Sequence, residues 1–205
     1  MNSNELSERV NRIYAALEGV REEDLAKFPP TVVTDEGRVY IWQDFRGGAT
    51  DSELANAAIL LIHNVAHLPD HLKKWASRNG MNKSKVDSAL QASRAFLILK
   101  DLSNNDKHGY PPRGGGHSGV SPHVAEFRRS LRLTTQPREG SSVGIILTTE
   151  GLKQVGDGTS QVIITGDVLD AGGSNVGDLH DLAVEAVEAV EALLRDFGIS
   201  YSVGP

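Results

Sequence analysis

The feature that most constrains this chain is a row of apolar residues at helical spacing between residues 54 and 75. Leu54, Ala58, Leu61, Val65, Leu68, Leu72 and Trp75 recur four and three apart, which puts them on one face of a helix. A face this apolar must lie against a core. Thr50-Asp51-Ser52-Glu53 has the spacing of a capping box and predicts where the helix starts. Pro69 falls inside it and predicts a kink that frees the carbonyl of Val65. Arg78-Asn79-Gly80 reads as the following turn, with Gly80 just past the helix end. A third helix is expected from about Ser84 to His108, packing through Val86, Ala89, Leu90, Phe96, Leu97 and Leu102. The short turn makes the two helices antiparallel neighbours, so residues 51–108 predict a long helical hairpin.

The flanking segments add smaller elements. Leu6, Val10, Ile13, Leu17 and Val20 predict a helix over residues 4–26, ended by Phe28-Pro29-Pro30. Thr31–Val33 and Val39–Phe45, joined by Asp35-Glu36-Gly37, read as a β-hairpin. Residues 109–123, GYPPRGGGHSGVSPH, read as irregular loop. Leu131 to Thr134, Val143–Thr149 and Ser160–Thr165 read as strands, with a turn at Gly156-Asp157-Gly158 between the last two. A last helix over about 178–197 buries Leu179, Leu182, Ala186, Val190, Leu193 and Phe197. The expected fold is therefore α+β. A long antiparallel helical hairpin and the N- and C-terminal helices pack against a small antiparallel β-sheet, its strands at about 127–167, in one domain over residues 1–205.

A chain of 205 residues can bury roughly 70% of its unfolded surface, so neither disulfides nor a metal is needed for folding. Cysteine is absent, which excludes thiol chemistry and suits a reducing compartment. No apolar run approaches the ~20 residues of a membrane span. The start MNSNELSERV lacks the basic and apolar blocks of a secretory signal, so a cytoplasmic location is expected. The net charge of −6 is uneven: −1 over residues 1–99, +4 over 100–138 and −9 over 139–205. A basic middle segment suits an anionic ligand, although such charges also serve simply to solvate a surface.

The polar residues that stand out lie on the hairpin. Asn56, His63, His67, Asp70 and His71 fall on the side of the second helix turned away from its apolar stripe. Asp101, Asn104 and His108 share a side of the third helix that also holds apolar residues, and unpaired buried polar groups are costly. Counting from the turn sets the Asn56–His63 segment alongside Asp101–His108.

Three readings stay open. In the first, Asp101 and Asn104 satisfy neighbouring donors and the histidines are solvated. In the second, His63 and His67 share a metal with His71 or His108; no Glu follows His63, so the zinc-protease motif is absent. In the third, an acid–base or anion site forms: Asp101 or Asn104 orients His108, Lys107 and Arg113 neutralise phosphate, and His63 carries a second proton. Asn56 and His67 complete this ligand-binding set, with no metal or other cofactor.

The run Asp101-Leu102-Ser103-Asn104-Asn105-Asp106-Lys107-His108 resembles a group of bacterial proteins with no assigned activity. They share a helical hairpin ending in Asp-x-x-Asn-x-x-Lys-His, then a β-hairpin and a C-terminal helix, over about residues 50–200 here. More distantly, a helical pair with a polar-plus-His motif is similar to HEPN domains, which include toxin and antiphage ribonucleases. The HEPN signature places Arg, a polar residue, then His four to six residues on. Here His108 maps onto it with Asn104 as the polar neighbour, and the Arg is missing. The resemblance implies an HEPN-like protein binding RNA or a nucleotide, with metal-independent ribonuclease activity through His108. The alternative is a non-catalytic, immunity- or antitoxin-like module that meets a basic partner through Asp181, Glu185 and Glu188 of the C-terminal helix.

Overall fold

In the computed structural model, which describes residues 3–148 and 151–199, the chain is a mixed α+β protein of helices and several small antiparallel sheets. Helix α1 covers Ser3–Gly19, and its stripe Leu6, Val10, Ile13 and Leu17 is buried. It ends seven residues short of the expected 26. Arg21–Glu22 form instead a short strand, β1, paired with Ile163 and Val162. The sheet takes the chain over before the prolines do.

Strands β2 (Thr31–Asp35) and β3 (Arg38–Trp42) form the expected hairpin around Glu36-Gly37. All ten strand residues are exposed, including Val32, Val39, Ile41 and Trp42, so the hairpin stands clear of the core.

Helix α2 runs over Asp51–Arg78 with the full capping box in place: Thr50 Oγ1 accepts from the Glu53 amide, and the Glu53 carboxylate accepts from the Thr50 amide. All seven residues of its apolar stripe are buried. Pro69 is buried within it, and the helix continues through to Arg78.

The expected third helix is divided. Helix α3 covers Ser84–Gln91 and α4 covers Arg94–His108, because Ser93 leaves helical geometry and its hydroxyl caps the amide of Phe96 at 3.2 Å. A serine in mid-helix competes for backbone donors, and here it wins. The break resets the helical phase. Ala89 is exposed and Leu97 half-buried, whereas Ala95, Phe96, Ile98, Leu99 and Leu102 are buried. Helix α4 packs on α2, and α5 (Leu179–Asp196) packs on α4 with the whole of its expected stripe buried.

The strands form no single sheet. Strand β8 (Thr159–Thr165) lies between β1 and β5 (Arg128–Thr134), while β9 (Asp167–Leu169) lies between β4 (His123–Val124) and β10 (Asn175–Asp178). Strand β6 (Val143–Thr148) pairs with β7 (Gly151–Gly156), an extra strand between those expected at 143 and 160. Gly-Leu-Lys-Gln-Val-Gly is polar and bounded by glycines, and so carries no strand pattern. Thr149, expected at the end of one strand, lies outside the described residues.

His180, in the first turn of α5, is buried, and its Nδ1 has no hydrogen-bond partner among the described residues. Burial, aided by the charges of Arg21 and Arg132, lowers its pKa to about 4. A histidine shifted down in the folded state contributes stability that is complete above its unfolded pKa, ~6.5, and is lost as pH falls through the folded value. Denaturant titrations should therefore show stability falling as pH drops from about 6.5 towards 4. His180→Leu should reduce that slope; an unchanged slope would refute the assignment.

Candidate functional site

Helix α2 turns its apolar stripe into the core, so its opposite side is left facing α1, the end of α4 and solvent. His63, His67 and His71 come up there on successive turns, each half-buried. The His63 and His67 rings stack with centroids 5.7 Å apart.

His63 is held between two residues of α4. Its Nδ1 lies 2.8 Å from Ser103 Oγ, and its Nε2 lies 2.8 Å from Asp106 Oδ2. A carboxylate only accepts, so Nε2 carries a proton, and in the neutral ring Nδ1 accepts from the Ser103 hydroxyl. Lys107, one residue further, donates to Nε2 of His67. Burial first, and then the charges of Lys107 and His63, hold the His67 pKa below its ordinary value. His71 is lowered too, by burial and then by the charges of Arg9 and Lys74.

Two depressions meet at His67. The first, of about 290 Å³, lies between α1 and α2 and is lined by Arg9, Arg12, His63, His67, Asp70, His71 and Lys74. The second, of about 150 Å³, lies between α2, α4 and the following loop, where Lys100, Ser103, Asn104 and His117 face His67 and Asp70.

Asp101 has a different task from the one expected. It is buried, and its two oxygens accept from the amides of His117 and Ser118, both at 2.7 Å. It thus pins the glycine-rich loop to α4 and does not orient His108. Gly116 fits because nothing larger would: a Cβ there would lie 2.5 Å from the Asp101 carboxylate, at a left-handed φ of 74°. His108 is exposed in the last turn of α4. Among the described residues its side chain makes no hydrogen bond or ion pair. Arg113, in the loop, and Asn56, two turns before His63, are likewise exposed and outside both depressions. The structure therefore gathers His63, His67 and Lys107 directly and Asn104 at the neighbouring edge, and leaves His108, Arg113 and Asn56 apart.

The metal reading finds no set of ligands: among the described residues no three His, Asp or Glu side chains are grouped as an ion would need, and both His63 nitrogens are engaged. Sequence reasoning missed Ser103 and Asp106 as partners of His63. Their position in the Asp101–His108 run, alongside the Asn56–His63 segment, was the available signal. It also missed Arg9, Arg12 and Lys74, because the side of α2 that α1 covers is set only by packing. The chain matches no protein-family model, no curated protein and no solved structure. No helix among the described residues is long and apolar enough to cross a membrane.

Asp101→Asn replaces one acceptor by a donor against a buried amide and should cost roughly 1–3 kcal/mol in urea unfolding. Gly116→Ala should cost a comparable amount through the clash with that carboxylate. Both should also speed hydrogen exchange at the His117 and Ser118 amides; unchanged midpoints and protection in both variants would show that the loop is held by something else.

Proposed function

We propose that the protein binds an anionic, phosphate-bearing ligand, RNA or a nucleotide, on the α2 face that carries His63, His67 and His71. The observation that supports this reading is electrostatic. Arg9, Arg12 and Lys74 border the histidine row, and among the described residues none of them has an ion-pair or hydrogen-bond partner. Lys107 points at the same row from the other side. Three cations gathered against the single carboxylate of Asp70 in this depression raise the local potential, which an anion relieves. The lowered His67 and His71 pKa values, due first to burial and then to these cations, agree with that picture.

The scaffold in this reading is the long antiparallel hairpin of α2 with α4, carried with the N- and C-terminal helices against the small sheets, and the HEPN resemblance enters only through it. Binding is favoured over cleavage. His108, on which the ribonuclease expectation rested, has no neighbouring carboxylate or cation in hydrogen-bond contact, whereas His63 is locked between Ser103 and Asp106. The rival protein-interaction surface on α5 is weakened because Asp181 is already paired with Arg132, leaving Glu185 and Glu188 exposed.

An anion placed beside His67 favours the protonated ring against the opposing charges of Lys107, His63 and Arg9, with Asp70 acting in the same sense as the anion. Histidine NMR titrations with and without saturating nucleotide or RNA should therefore show the His67 pKa moving up on binding. Lys107→Gln should by itself raise the His67 pKa in the free protein. An unmoved His67 with every anion tried would sink the reading.

A further inference from the structure

We infer that the α1–α2 depression is a site for the phosphate group of one compact, nucleotide-sized molecule, and that a nucleic-acid strand does not run along it. This rests on the anionic-ligand reading above and names the ligand within it. Arg9 and Arg12 are three residues apart on α1, so their guanidinium groups emerge as neighbours beside its apolar stripe. Lys74 faces them from α2, one turn beyond Asp70 and His71. Guanidinium groups grip phosphate oxygens in pairs, and a lysine adds a mobile point charge. His67, His71 and Asn64 line the remaining wall and offer ring and amide groups to a hydroxyl or a base edge.

Charge restricts the occupant. The depression of about 290 Å³ adjoins one of about 480 Å³ that shares Arg9, Arg12, His71 and Lys74. In that second part Arg78 joins the shared cations, and Glu5 and Glu8 line its α1 side beside them. Asp70 stands on the same surface next to the histidines. A strand carries a phosphate at every step and needs an unbroken cationic path. Carboxylates interspersed with the cations interrupt that path, whereas a single phosphate group needs only the cluster of Arg9, Arg12 and Lys74.

The full-length protein would be titrated by calorimetry at low salt with inorganic phosphate, with adenosine 5′-monophosphate and with single-stranded RNA of six and twelve nucleotides. The proposal expects one monophosphate per chain, competition from inorganic phosphate, and RNA affinity that does not climb with length. The double variant Arg9→Gln, Lys74→Gln should weaken monophosphate binding roughly 30-fold or more, as loss of two charge-assisted contacts implies. Both side chains are exposed, so the variant's unfolding midpoint serves as the check that it folds. Lys100→Gln should leave affinity nearly unchanged. Affinity rising with RNA length and falling steeply with salt would overturn the compact-ligand inference while leaving an anion site in place. So would monophosphate binding that survives the double variant but is lost in Lys100→Gln. Absence of binding by all of these anions would overturn both this inference and the reading it rests on.

Discussion

The rest of the structure depends on the burial of one side of α2. Its seven stripe residues, from Leu54 to Trp75, lie in a single core with α1, α4 and α5. Each fully buried aliphatic side chain contributes on the order of 2 kcal/mol relative to exposure, so the orientation of this helix about its axis is strongly determined. Once that side faces inward, His63, His67 and His71 have to emerge on the other. The candidate site is thus a consequence of core packing, and its three imidazoles need no special device to bring them into line.

What surrounds the histidines comes from two different directions. From α4 come Ser103 and Asp106, which hold His63, and Lys107, which meets His67. From α1 come Arg9 and Arg12. The α4 contribution is polar and well paired; Arg9 and Arg12 of α1 are, among the described residues, unpaired. This asymmetry separates side chains whose structural role is visible from those left without a partner. Asp101 illustrates the first kind: a buried carboxylate satisfied by two backbone amides, holding a loop whose close approach requires glycine at position 116.

Much of the helical framework was legible in the residue order. The stripes of α1, α2 and α5 are each buried as their spacing implies, and the capping box at Thr50 starts α2 where its four residues indicate. The break at Ser93 was less visible, because a helical apolar period on both sides hides a change of phase between them. The extra strand β7 was not visible, since Gly151–Gly156 is recruited by its partner β6 and not by its own pattern. Of the proposed site residues, the histidine face was readable from a 100° step along one helix, whereas the level at which α4 meets it was not. The count from the turn set Asn56, and not His63, opposite the end of α4, but His63 meets Ser103 and Asp106. His108 and Arg113 stood out as residue types, but their surroundings depend on how the end of α4 and the loop are placed.

By itself, then, the amino-acid order determined which faces of which helices had to be covered, and therefore which histidines were left over, because periodicity is a local property that burial acts on directly. Only the tertiary structure decided what stands opposite those histidines. Whether Arg9 and Arg12 border α2, whether Asp106 reaches His63, and whether Asp101 faces a loop or a histidine all depend on how separate elements rotate and abut. Those rotations are set by the packing of many side chains together, and no short stretch of sequence records them.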